Sequence, residues 1–130
     1  MRARDRFLMM AGLVALAAQP GCTALIFGGG AVAGAGMVAY ARGEIRVTED
    51  VNLSRAWSAT QSAVDDLALT VVERERDNLG ARLVALDRDS NRVKVRLEKL
   101  PRFTEIRIRV GIFGDEKLSR SLLEGIRQRL

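Results

Sequence analysis

Val93-Lys94-Val95-Arg96-Leu97-Glu98 and Glu105-Ile106-Arg107-Ile108-Arg109-Val110-Gly111-Ile112 decide the fold. In both stretches apolar residues alternate with charged ones, the two-residue period of a strand with one face buried and the other wet. A parallel sheet covered on both faces would read as continuous apolar runs, so the two are expected to be antiparallel neighbours covered on a single side. If Val95 and Ile108 share the buried face, pairing parity puts Lys94 and Arg96 on the wet face with Arg107 and Arg109. One register sets Arg96 directly opposite Arg107, an unfavourable like-charge pair; a slip of two residues sets it opposite Glu105 or Arg109 instead. Four cations gather on that face either way. It reads as a solvated surface offset by Glu73, Glu75, Glu98 and Glu105, or more sharply as a contact surface for anionic phospholipid, lipopolysaccharide or cell-wall polymer.

Towards the C-terminus, Phe113-Gly114-Asp115-Glu116 makes a strand-to-helix corner. Gly114 tolerates positive φ, Asp115 caps a helix, and both acids suit its positive end while disfavouring an anion there. Leu118, Leu122, Leu123, Ile126 and Leu130 then fall on one helical face, with Arg127 and Arg129 in the last turn. Towards the N-terminus, Arg88 to Asn91 is a polar turn, Leu79 to Asp87 a strand, Asp77-Asn78 a turn and Thr70 to Arg76 another strand. Leu53, Trp57, Thr60, Val64 and Leu67 mark a first amphipathic helix ending near Leu69, with Asp50, Asn52 and Ser54 as candidate caps. Trp57 is expected to anchor the core. Glu44 to Thr48 is a short strand. The expectation for residues 44–130 is an α+β two-layer sandwich, a mostly antiparallel sheet of about five strands with two helices on one face.

Residues 1–21 read as an export leader. Arg2, Arg4 and Arg6 form a positive n-region, and Phe7 to Ala18 is an uncharged apolar run, too short to cross a bilayer but suited to a signal-peptide core. Gly21-Cys22 follows, a small residue before the chain's single Cys, as at a lipoprotein cleavage site. Gln19 and Pro20 stand where such a site usually has Leu and then Ala or Ser. A lone thiol in an exported chain has no disulfide partner, and acylation at Cys22 would both remove it and anchor the protein. The alternative is cleavage after Ala15-Leu16-Ala17, leaving Cys22 free. Thr23 rather than Asp after the Cys favours the outer membrane. Ala24 to Ala41 carries no charge and contains Gly28, Gly29, Gly30, Gly34 and Gly36. Residues 22–43 are thus a lipidated Cys and a tether, a small-residue helix able to pack in lipid, or a marginal membrane span.

Ile108-Arg109-Val110-Gly111, Phe113-Gly114-Asp115-Glu116 and Ser119 resemble the C-terminal pattern of a family of small bacterial lipoproteins known only as a domain of unknown function. The Gly-Cys site and the Gly/Ala-rich stretch ending at Tyr40 and Gly43 match the same pattern, so the resemblance covers residues 21–130. It implies export, anchoring and a strand, helix and strands in that order, and it implies no catalytic residues.

Several chemistries lack their residues. The chain of 130 residues has no His, so it lacks the usual base near neutral pH and the commonest metal ligand. Asp65-Asp66 and Asp115-Glu116 fall on a helix surface and a helix start, and no serine has a His partner. Gly28, Gly30 and Ala33 with Asp50 mimic a dinucleotide fingerprint but follow no strand. Asp87, Asp89, Asn91 and Glu98 mimic a calcium loop, except that Arg92 stands where Gly is required. No cofactor, metal or catalytic residue is expected. Of the net charge of +5, Arg2, Arg4 and Arg6 against Asp5 account for +2, leaving a mature chain of about +3. Nucleic acid is not an expected partner, because the chain is exported and no aromatic interleaves the basic residues. The expected function is a non-catalytic cell-envelope lipoprotein, a structural or interaction module. Its expected partners are the membrane through the lipid anchor and anionic envelope material or an envelope protein complex. The alternative is an accessory subunit of an envelope transport or lipid-trafficking assembly, its Gly-rich helix packed in the membrane.

Overall fold

The computed structural model of the protein describes residues 36–130. These form β1 (Val38–Ala41), β2 (Glu44–Glu49), α1 (Leu53–Asp66), β3 (Thr70–Arg76), β4 (Gly80–Leu86), β5 (Arg92–Lys99), β6 (Thr104–Val110) and α2 (Glu116–Arg127). All six strands join one open sheet in the order β1-β2-β6-β5-β4-β3, and every neighbouring pair is antiparallel. β3 to β6 is a meander. β2 and β3, which run the same way at a distance, are joined by α1, so this helix carries the chain across the sheet and the meander brings it back beside β2.

The sheet has one strand more than the alternating pattern predicts. Val38-Ala39-Tyr40-Ala41, within the stretch expected to be tether or helix, pairs with β2 from Ala41 opposite Glu44 to Val38 opposite Val47. Its outward residues, Ala39 and Ala41, are apolar, so the two-residue period has no contrast to reveal it. Arg42 and Gly43 join β1 to β2 with φ of 53° and 80°, the two positive values of a tight I′ hairpin. Residues 38–41 are therefore sheet. The remainder of that stretch, the leader and Cys22 lie outside the described residues. Among the described residues no helix is long and apolar enough to cross a membrane.

Both helices cover the same sheet face. Ile45, Val95, Leu97, Ile106 and Ile108 meet Trp57 and Val64 of α1 and Leu122 and Ile126 of α2 in one buried cluster, with Trp57 in the core as expected. α1 ends at Asp66, earlier than predicted, because Ala68 turns the chain with a φ of 54°; Leu67 is left at the surface. Of the three candidate caps Asn52 is the one used, accepting from Arg55 N at 2.8 Å, and Asp115 caps α2 by accepting from Leu118 N at 3.0 Å. The buried hydroxyls are satisfied: Thr60 Oγ1 donates to Ala56 O, Ser119 Oγ to Asp115 O and Thr104 Oγ1 to Val51 O. No buried side-chain nitrogen or oxygen among the described residues lacks a partner, as a well-formed interior requires.

Candidate functional site

The sheet face turned away from the helices is built by register. Residues paired on adjacent antiparallel strands project to the same side, ~4.8 Å apart. One row across four strands is Arg46, Arg107, Arg96 and Arg82, each directly opposite the next. The adjacent row is Glu44, Arg109, Lys94, Val84 and Glu73. On the other side of the arginine row stand Glu105 and Glu98, opposite one another. The structure thus brings Lys94, Arg96, Arg107 and Arg109 together in the less favourable of the registers considered, with Arg96 facing Arg107 and Lys94 facing Arg109. Val84 is fully buried although its register, opposite Lys94 and Glu73, puts it on the outward face.

The carboxylates offset these charges unevenly. Arg107 donates from Nε to Glu105 and lies 3.4 Å from Glu98. The hydrogen bond to Glu105 is the main cause holding its guanidinium above the ordinary arginine pKa. Arg46 is 3.3 Å from Glu44 and 3.8 Å from Glu105, and Arg82 is 3.3 Å from Glu73. Among the described residues no carboxylate lies within ion-pair distance of Lys94, Arg96 or Arg109. These three, with Glu44, Arg82 and Arg107, line a groove of about 310 Å³. Clustered guanidinium and ammonium groups suit oxyanions, which accept several charge-assisted hydrogen bonds at once.

Arg46 and Arg82 were not among the expected cations. Nothing local shows that β2 adjoins β6, and Ala81, Leu83, Val84 and Ala85 blur the alternation that would assign Arg82 to a face. Other acidic pairs have structural employment. Asp87 accepts from the backbone N of Asp89 and Asn91 and from Asn91 Nδ2, closing the β4–β5 turn. The side-chain bond from Asn91, followed by its backbone N–H, holds the Asp87 carboxyl below its ordinary pKa. Asp66 pairs with Arg129 and Glu116 with Arg120, the latter at 2.7 Å. A larger open concavity of about 640 Å³ runs along α2. Its Arg127 is engaged with Glu49 at 2.6 Å and donates to the Gly36 carbonyl at 2.5 Å, which ties the start of the described chain to the domain.

Fold and face together define a class: a two-layer α+β module whose open sheet surface is an array of cations. Within that class the chain belongs to the family described as a protein of unknown function (DUF3568), which matches residues 6–129. No curated protein matches the chain.

Proposed function

We propose that the chain is a non-catalytic lipoprotein of the bacterial cell envelope, facing the periplasm and held by an acylated Cys22, and that its outward sheet face receives an anionic envelope partner. The supporting sequence features are the Arg2 to Ala18 leader, Gly21-Cys22, and the absence of His from a chain whose single Cys precedes the domain. The observation that carries the reading of the face is the register. Lys94, Arg96 and Arg109 each stand directly opposite another cation and, although Arg109 also has Glu44 across from it on β2, no carboxylate among the described residues lies within ion-pair distance of any of the three. Like charges set opposite one another destabilise a sheet. An anion in the groove turns that repulsion into attraction, and the attraction is sensitive to salt because the site is open to solvent.

Charge reversal tests this reading. Lys94→Glu, Arg96→Glu and Arg109→Glu together are expected to reduce co-sedimentation with anionic envelope material at least tenfold, since each surface cation contributes ~1 kcal/mol near an anionic lipid surface. Undiminished co-sedimentation by the triple variant would leave the face as ordinary solvated surface.

A further inference from the structure

Ile112 and Phe113 are the most exposed large apolar side chains among the described residues, at 81% and 92%. They stand together on the corner between β6 and α2, and the backbone around them is fixed. Gly111 N donates to Arg92 O at 2.8 Å, and Arg109 Nη2 donates to Ile112 O at 2.8 Å. Gly43 of the β1–β2 turn lies so close that a Cβ on it would come within 2.7 Å of Phe113 O, and one on Gly114 within 2.6 Å of Gly43 O. A corner clamped between two turns presents its apolar pair outward and gives neither side chain a place in the core.

The surroundings of this pair are cationic. Arg42 adjoins Gly43, Arg92 and Arg109 hold the corner through the bonds just described, and Lys117 lies in the first turn of α2. Among the described residues none of the four is ion-paired. Three acids lie nearby as well, and the two at the start of α2 disfavour an anion directly beside them, but they are outnumbered: Asp115 caps α2, Glu116 pairs with Arg120 and Glu44 with Arg46, which leaves Arg42, Arg92, Arg109 and Lys117 without an ion pair.

We propose that this corner is a membrane-docking tip. Ile112 and Phe113 enter the headgroup and acyl boundary of an anionic bilayer while Arg42, Arg92, Arg109 and Lys117 engage lipid phosphates. Apolar side chains gain by leaving water, an aromatic ring suits the interface, and the negative surface potential draws in the cations. Two side chains cannot supply the ~1,000 Å² that a stable protein partner needs, whereas a bilayer closes around a protrusion of any shape. Gly36 lies fourteen residues after Cys22. Fully extended, that segment spans at most ~50 Å, about twice the ~23 Å length of a seven-residue strand, and this bound permits the tip to reach the surface that holds an anchor at Cys22. The inference deepens the anchored-lipoprotein reading and rests on it only for placing the domain near a bilayer.

The test uses the processed protein recovered from membranes, carrying Phe113→Trp or, separately, Ile112→Trp. Each is reconstituted into phosphatidylglycerol or phosphatidylcholine vesicles with brominated acyl chains. Trp57, the only natural tryptophan, is buried and serves as the unquenched background. In anionic vesicles the introduced indole is expected to be quenched and blue-shifted, and Arg42→Gln or Lys117→Gln should each lower the docked-to-undocked ratio about fivefold. An acylated protein whose introduced indole stays unquenched, with the emission of an indole in water, overturns the tip and leaves the anchor intact. A protein whose mass shows no acyl group, but whose indole is quenched when vesicles are added, supports the tip and refutes the anchor.

Discussion

Gly43 and Gly114 meet backbone to backbone, at φ of 80° and 85°, where a side chain on either would collide with the other strand connection. Gly111, at a φ of 69°, has nothing within 4 Å of where its Cβ would be. The two kinds of site should separate cleanly in denaturant titrations. Gly111→Ala carries only the left-handed penalty, about 1 kcal/mol, whereas Gly114→Ala adds a forced backbone shift and should lose ~2 kcal/mol or more. Equal losses would mean that the two turns do not touch. Arg96 makes the opposite prediction. It stands between Arg107 and Arg82, so Arg96→Gln should raise stability by about 0.2–1 kcal/mol while weakening anion binding; a loss of stability would show that Arg96 has a partner in the unliganded protein. At this scale the sequence was informative wherever charge alternated with apolar residues, which placed Lys94, Arg96, Arg107 and Arg109 on one face. It was silent on Arg46 and Arg82, because their membership of the row depends on which strands are neighbours.

Among the elements, β5 and β6 were legible because each alternates over its full length, and α2 because its apolar stripe is bounded by the capping Asp115. β1 was illegible for the converse reason. It is four residues long, uncharged on both faces and continuous with a glycine-rich stretch, so only its pairing with β2 distinguishes it. The β4–β5 hairpin has a pH signature. Its Asp87 carboxyl is held below its ordinary value of 3.8 by the Asn91 and Asp89 donors. A carboxyl with a depressed folded pKa contributes stability that is fully present above the unfolded pKa and is lost as pH falls through the folded one. Asp87→Asn should therefore lower the thermal midpoint by a constant amount from pH 7 down to about 4, and the difference should close below that. A difference that instead closed between pH 7 and 5 would assign the effect to another group.

In the whole molecule, one sheet face is given to the core and the other is left to charge. This division follows from antiparallel alternation and from α1 carrying the chain across the buried side, so the cations of β2, β6, β5 and β4 converge on the open side, where no helix among the described residues covers them. The order of strands was not legible, because it is decided by which apolar faces pack together after the chain has folded back. If the proposal is right, this domain hangs from a bilayer by a modified residue 22. Intact mass of the native chain extracted from membranes tests it most directly. The expected product is a polypeptide beginning at Cys22 and heavier than its sequence by fatty acyl groups. A polypeptide beginning at Ala18, of unmodified mass and released from membranes by salt alone, would contradict it.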